Sequence, residues 1–157
     1  MTLSARFDDA FLYASRLHAE QVRKGSGEPY LAHLMAVCSL ALENGADEDQ
    51  AIAALLHDAV EDQGGAETLA VVRERFGARV ADIVAGCSDS QEARKPAWRP
   101  RKEAYLAKVR REPAEVLRIS AADKLHNARA ILRDYREIGE ELWPRFTGGK
   151  DGVLWYY

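Results

Sequence analysis

The sequence predicts an all-α single domain, and three observations carry that prediction. Apolar residues recur at helical spacing along most of the chain, capping residues separate these runs, and no stretch alternates apolar and polar residues as a half-buried strand would. No internal repeat or linker divides the 157 residues, a length that suits one domain with a single core. With 47% hydrophobic and 30% charged residues, the composition is that of an ordinary soluble globular chain. A formal net charge of -3 argues against a protein that coats nucleic acid, although a local basic cluster could still grip a small anion. Cys38 and Cys87 fall in apolar helical runs, so two reduced thiols are expected and no disulfide. The first residues hold no apolar signal region and no segment is long and uncharged enough to span a bilayer, which makes the cytoplasm the expected location.

The first helix is expected to start near Ser4 and to place Phe7, Phe11, Ala14 and His18 on one face. His18 then reads as a core histidine with a hydrogen-bonded ring. A basic, glycine-rich turn follows at Gln21-Val22-Arg23-Lys24-Gly25-Ser26-Gly27-Glu28, which fits either a phosphate-gripping turn or a plain solvated loop. Pro29 opens the second helix and Gly45 closes it with a left-handed cap; His33 sits inside this apolar run.

Asp47 and Gln50 announce the third helix, which is expected to run through Glu61-Asp62 to Gly64-Gly65. On a helix turning about 100° per residue, Ile52, Leu55, Leu56 and Ala59 form an apolar stripe, while His57, Asp58 and Glu61 share the opposite side. Ala53, Ala54 and Val60 leave this helix little water-facing surface, so its charges require a metal ion or a cationic ligand. Acidic groups in the last turn also oppose the helix dipole, a local cost that points to function.

Two scaffold helices should follow, one lined by Leu69, Val72 and Phe76, the next by Val80, Ile83, Val84 and Cys87. Residues 88–100 form the one loop long enough for a lid; Trp98, set among Lys95, Pro96, Arg99 and Pro100, reads either as a base-stacking group or as a packing anchor. After a helix over residues 101–110, Pro113 starts another buried helix over residues 115–135. Its main stripe is expected to be Leu117, Ala121, Leu125, Ala128 and Leu132, with Val116 and Ile119 covering much of the far side, where Asp123 and Asn127 lie one turn apart. A final helix carrying Ile138, Leu142, Trp143 and Phe146, bent at Pro144, should end at Gly148-Gly149. The apolar stretch Val153-Leu154-Trp155-Tyr156-Tyr157 either docks on the core or begins a further turn.

His33, His57, Asp58 and Asp123 are thus two imidazoles and two carboxylates from three buried helices. Mixed nitrogen and oxygen donors suit a borderline divalent ion such as manganese, iron, zinc, cobalt or nickel. Four protein ligands leave positions open for water and substrate, which favours a hydrolytic centre over a closed structural one. Glu61 falls one turn from His57 and Asp58, close enough to handle a proton on an attacking water.

Four motifs in order carry a family resemblance: Gln21-Val22-Arg23-Lys24 followed by Gly27-Glu28-Pro29-Tyr30 and His33; Leu56-His57-Asp58-Ala59-Val60-Glu61-Asp62; Arg75-Phe76-Gly77 leading to Val84 and Cys87-Ser88-Asp89; and Ala122-Asp123-Lys124-Leu125-His126-Asn127-Ala128-Arg129. With them the chain resembles the HD superfamily of metal-dependent phosphohydrolases, and within it the hydrolase domain of RelA/SpoT-like enzymes, which remove pyrophosphate from the 3′ position of the alarmone (p)ppGpp. The resemblance implies an HD-domain helical bundle with the metal site between central buried helices. It implies that His33, His57, Asp58 and Asp123 hold the metal, usually manganese (Mn2+). It further implies that Glu61 and Asp62 activate or position water, that Arg23 and Lys24 hold a guanine nucleotide, and that Asn127 contacts its sugar-phosphate region. This chain departs from the pattern by an extra residue within Gly25-Ser26-Gly27, by Ala130 where a threonine is frequent, and over residues 95–102. No synthetase or regulatory domain follows in the sequence given, so a small stand-alone hydrolase is expected, acting on a small guanine nucleotide and on neither nucleic acid nor membrane. The competing readings are an HD-type phosphatase for another nucleotide or phosphorylated metabolite, and a non-catalytic nucleotide-binding domain; the Glu61-Asp62 pair argues against the latter.

Overall fold

The fold is taken from a computed structural model that describes residues 2–89 and 97–157. Side-chain caps set its helix boundaries. Ser4 Oγ accepts from the Arg6 amide at 3.2 Å and opens α1 (Ala5–Leu17). Pro29 precedes α2 (Tyr30–Glu43), which ends where Gly45 takes φ +81° and the Ala46 amide bonds back to the Ala41 carbonyl at 3.0 Å. Asp47 Oδ1 accepts from the Gln50 amide at 3.0 Å and caps α3 (Glu48–Leu56). There follow α4 (Ala59–Asp62), α5 (Gly65–Phe76), α6 (Ala78–Cys87), α7 (Trp98–Val109), the long α8 (Ala114–Ile138), a 3-10 helix (Gly139–Arg145) and α9 (Gly149–Tyr156).

The domain is all-α, and among the described residues the sole extended pairing is an isolated antiparallel bridge between Val22 and Pro29 in the basic turn. Helix α3 is the axis of the core: Ala51, Ile52, Ala53, Ala54, Leu55 and Leu56 are all essentially inaccessible, with α1, α2, α6 and α8 packed around it. Cys38 and Cys87 are free thiols, as expected. No helix among the described residues is long and apolar enough to cross a membrane.

Four expectations are corrected. The third helix does not run unbroken to Asp62: it stops at Leu56, and His57 and Asp58 form a turn before α4. The His57 ring supplies the physical reason, because its Nδ1 lies 2.8 Å from the Ala54 carbonyl and competes for the acceptor that the next backbone amide would use. Second, α7 begins at Trp98 and not near Arg101. Third, the chain after Ile138 is a 3-10 helix around Pro144, whose missing N–H precludes a regular helix there; Gly148-Gly149 then starts α9 instead of ending a helix. The apolar end docks, with Gly152 and Val153 buried. The lid expectation over residues 88–100 falls partly on residues 90–96, including Lys95 and Pro96, which lie outside the described residues.

The fourth correction concerns α8. Leu117, Leu125 and Leu132 are 40%, 42% and 49% exposed, whereas Val116, Ile119, Ser120, Ala122 and Asp123 face inward. The inward face is the one that delivers Asp123 to the histidines of α2 and of the turn, so its register follows the polar centre and not the leucine count. Ile119→Ala is therefore expected to cost about 2–5 kcal/mol in a denaturant titration. Leu132→Gln should stay within about 0.5 kcal/mol of the parent chain. A larger loss from Leu132→Gln than from Ile119→Ala would restore the leucine face as the core.

Candidate metal centre

Two histidines are locked into place before any ion is considered. His33, in the middle of α2, is 1% exposed, and His57, in the turn after α3, is 3% exposed. With Nδ1 of His57 bonded to the Ala54 carbonyl, one ring proton sits there and Nε2 faces the carboxylates of Asp58 and Asp123. That Nε2 is buried without a well-aligned hydrogen bond, although it lies 2.9 Å from Asp58 Oδ2 and 3.8 Å from Asp123 Oδ1. His33 Nε2 lies 3.6 Å from Asp58 Oδ2 and 3.3 Å from Asp123 Oδ1. Donor atoms roughly 3.0–3.6 Å apart are what two ligands at about 2.1 Å from one ion require. One donor atom each from His33, His57 and Asp58 already lies within 4.8 Å of the others. Asp123 closes the group from α8 and is also engaged by Lys124 and by Asn127 Nδ2 at 2.6 Å.

Electrostatics point the same way. Burial pushes the Asp58 and Asp123 carboxyls up, but His57 beside Asp58 and Lys124 beside Asp123 hold both well below the usual carboxylate range. Burial pushes the His57 imidazole down, yet Asp58 and Asp123 outweigh it and raise His57 well above its ordinary value. Two imidazoles and two carboxylates are thus gathered in one buried place, an arrangement whose negative charge a cation would balance. Cys87 borders the cavity beside Asp58 and Asp123, and burial pushes its thiol up to about 11.

A second ring of contacts holds the donors. Tyr30 O–H donates to Asp58 Oδ2 at 2.6 Å, and its ring stacks on His18, whose Nδ1 is 2.6 Å from Gln21 Oε1. His18 is thus the hydrogen-bonded core histidine that its position suggested. Asn127 Oδ1 accepts from Arg23 Nη2 at 2.8 Å while its amide donates to Asp123, so one side chain links the basic turn to the centre. His126 Nδ1 meets His33 Nδ1 at 2.8 Å. Burial, then the nearby His33 and Arg23, lower His126 to about 4, so it is neutral at physiological pH.

Above the histidines a cavity of ≈ 130 Å³ is bordered by Asp58, Glu61, Asp123 and Lys124, and shares Tyr30, Glu61, Lys102 and Asn127 with an outer cleft of ≈ 470 Å³. The structure brings together every candidate residue named above: Arg23, Lys24, Asp62 and Asn127 line the outer cleft, and Glu61 borders both spaces. Gln21 Nε2 donates to Asp62 Oδ2 at 2.8 Å, and Arg101 Nη1 lies 3.7 Å from Glu61 Oε1. With the extra residue in the basic turn, Arg23 still borders the outer cleft. Gly25 and Gly27, at φ +94° and +72°, close a tight hairpin in which the Arg23 amide donates to the Glu28 carbonyl at 2.8 Å.

Several contributors escape sequence reasoning. Asp89 binds Arg101 and Lys102 (the latter at 2.7 Å), and both cations face the cleft. Arg145 lies over Gly25 and joins the same cleft. The Trp98 ring meets Trp155 and Tyr156 and fills the space beside Gly148 and Gly152, where added Cβ atoms would come within 2.7 and 3.0 Å, and the residue also borders the outer cleft. Tyr30 had a local signal, lying three residues before His33 and hence on its helix face, and Asp89 stood in the Cys87-Ser88-Asp89 motif.

Comparison with known proteins agrees with this geometry. The HD domain family matches residues 10–154. A probable GTP pyrophosphokinase of Mycobacterium leprae is 39% identical over 124 residues, covering 78% of this chain and 15% of the relative. A guanosine-3′,5′-bis(diphosphate) 3′-pyrophosphohydrolase of Aquifex aeolicus is 34% identical over 122 residues, covering 78% of this chain and 17% of the relative. The chain therefore spans less than a fifth of these relatives. A solved metazoan ortholog of SpoT, described as hydrolysing ppGpp, superposes with a TM-score of 0.75 at 25% identity, covering 98% of this chain and 93% of that one.

Proposed function

The chain belongs to the HD domain family, and from that premise we propose that it is a manganese-dependent phosphohydrolase converting guanosine 3′,5′-bis(diphosphate) and water to GDP and pyrophosphate. The observation that carries this reading is that Asp58 and Asp123 of the buried His/Asp cluster border a small cavity, which shares Glu61 with a nucleotide-sized cleft whose lining includes Arg23, Lys24, Arg101, Lys102 and Arg145. A polyanionic substrate matches that mouth. The hydrolase relatives and the SpoT ortholog act on this compound, which supports the substrate assignment.

In this reading His33, His57, Asp58 and Asp123 hold the ion. Bound there, a divalent ion would supply positive charge to the phosphoryl group under attack and ease deprotonation of water. Glu61 accepts the proton of the attacking water as its oxygen bonds to phosphorus and the bond from that phosphorus to the ribose 3′ oxygen breaks, releasing GDP from pyrophosphate. Asp62, held by Gln21, orients that water. Arg23 and Lys24 hold the nucleotide, and Asn127 keeps their turn in register with Asp123. The short helix α4 places Glu61 and Asp62 beside the donors from the turn, so nucleophile activation and ion binding share one rigid connection. The cytoplasm is the matching location.

The same cations would accept other phosphorylated compounds, so an HD-type phosphatase acting on another nucleotide is the second reading. Turnover with Mn2+ separates the two: ppGpp should be consumed and nucleoside monophosphates left intact. Release of orthophosphate from monophosphates, with ppGpp untouched, would favour the phosphatase. Arg23→Ala is expected to raise KM for ppGpp roughly tenfold or more with little change in kcat, because a charge-assisted ground-state contact is lost. Unchanged kinetics would return Arg23 to a structural role through Asn127.

A further inference from the structure

His126 is outside the donor set and borders neither cavity described above, yet its ring is packed against a donor. The rings of His33 and His126 have centroids 4.9 Å apart at 47°, and their Nδ1 atoms are 2.8 Å apart. His33 faces Asp58 and Asp123 with Nε2. An imidazole that offers the Nε2 lone pair to an ion carries its proton on Nδ1, and at His33 that proton points at His126 Nδ1. His126 must then accept on Nδ1 and carry its own proton on Nε2. At His57 the equivalent proton goes to the Ala54 backbone carbonyl. The two donors are thus locked by different devices, one by main chain and one by a side chain.

We propose that His126 is a positioning residue for the metal centre: by accepting the His33 Nδ1–H it fixes the tautomer and ring orientation in which His33 presents Nε2 to a divalent cation. This rests on the metal-centre reading above. A partner of this kind on a ligating histidine typically controls metal affinity by about 10–100-fold. The role asks only for an acceptor at the Nδ1 position, so an asparagine carbonyl can supply it, whereas a phenyl ring fills the space without supplying it.

The test is Mn2+ titration of the full chain without nucleotide, following free Mn2+ by electron paramagnetic resonance. His126→Phe is expected to weaken binding about 10–100-fold and His126→Asn to stay within about threefold of the parent chain. Equal affinity in His126→Phe and the parent would overturn the proposal, as would equal weakening in both variants. Failure of the parent itself to bind Mn2+ would instead sink the metal-centre reading. Should His126→Phe not fold, the parent chain decides alone: loaded with diamagnetic Zn2+ and labelled with 15N, it is expected to show scalar coupling between the two Nδ1 nuclei across the hydrogen bond. A His33 proton found on Nε2 would overturn the assignment.

Discussion

Glu61→Gln is expected to lower kcat for ppGpp by about 10²–10⁴ while leaving Mn2+ bound. Glu61 borders both the cavity beside Asp58 and Asp123 and the outer cleft, and Arg101 lies 3.7 Å from its Oε1. Glutamine keeps the shape and the hydrogen-bonding reach but cannot take a proton. Mn2+ affinity should therefore stay close to that of the parent, measured by the same titration. Loss of the ion from Glu61→Gln would make Glu61 a ligand, and retained turnover would move the base to another group.

His57→Ala is expected to abolish both Mn2+ binding and turnover. The side chain supplies a buried Nε2 that has no well-aligned hydrogen bond, and Asp58, 2.9 Å away, loses its nearest positive partner when the ring is removed. The same residue predicts a pH signature. In the metal-free chain burial lowers His57, but Asp58 and Asp123 raise it well above its usual value, so the imidazolium persists at neutral pH. An ion needs the neutral ring, so binding releases a proton at pH 7 and apparent affinity falls as pH falls. Calorimetry in buffers of different ionisation enthalpy would register that proton. Binding heats independent of the buffer, together with pH-independent affinity, would contradict the assignment of His57.

The members of the buried His/Asp cluster were legible in the sequence because their chemistry violates its surroundings. His33, His57, Asp58 and Asp123 each interrupt a run that packing alone would fill with apolar residues, and Glu61 follows at helical spacing. The shape of the scaffold was less legible where long-range contacts decide it. Nothing local in Leu55-Leu56-His57-Asp58-Ala59 signals a break; the break comes from a side chain bonding the Ala54 carbonyl. On α8 the large leucines look like the core stripe, yet the helix turns Ile119, Ala122 and Asp123 inward, on the side that packs against α2 and α3. Gly148 reads as a helix end in sequence, and with Gly152 it instead leaves the space that the Trp98 ring occupies. His126 stood inside a recognised motif without a role, and only its distance to His33 supplied one.

Product analysis tests the central claim most directly. The chain is incubated with ppGpp and Mn2+ in 18O-labelled water, and the products are separated and weighed by mass spectrometry. The expected result is GDP and pyrophosphate in equal amounts, with the label in pyrophosphate alone and no reaction after chelation. Orthophosphate as the phosphorus product, or turnover that survives chelation, would contradict the account.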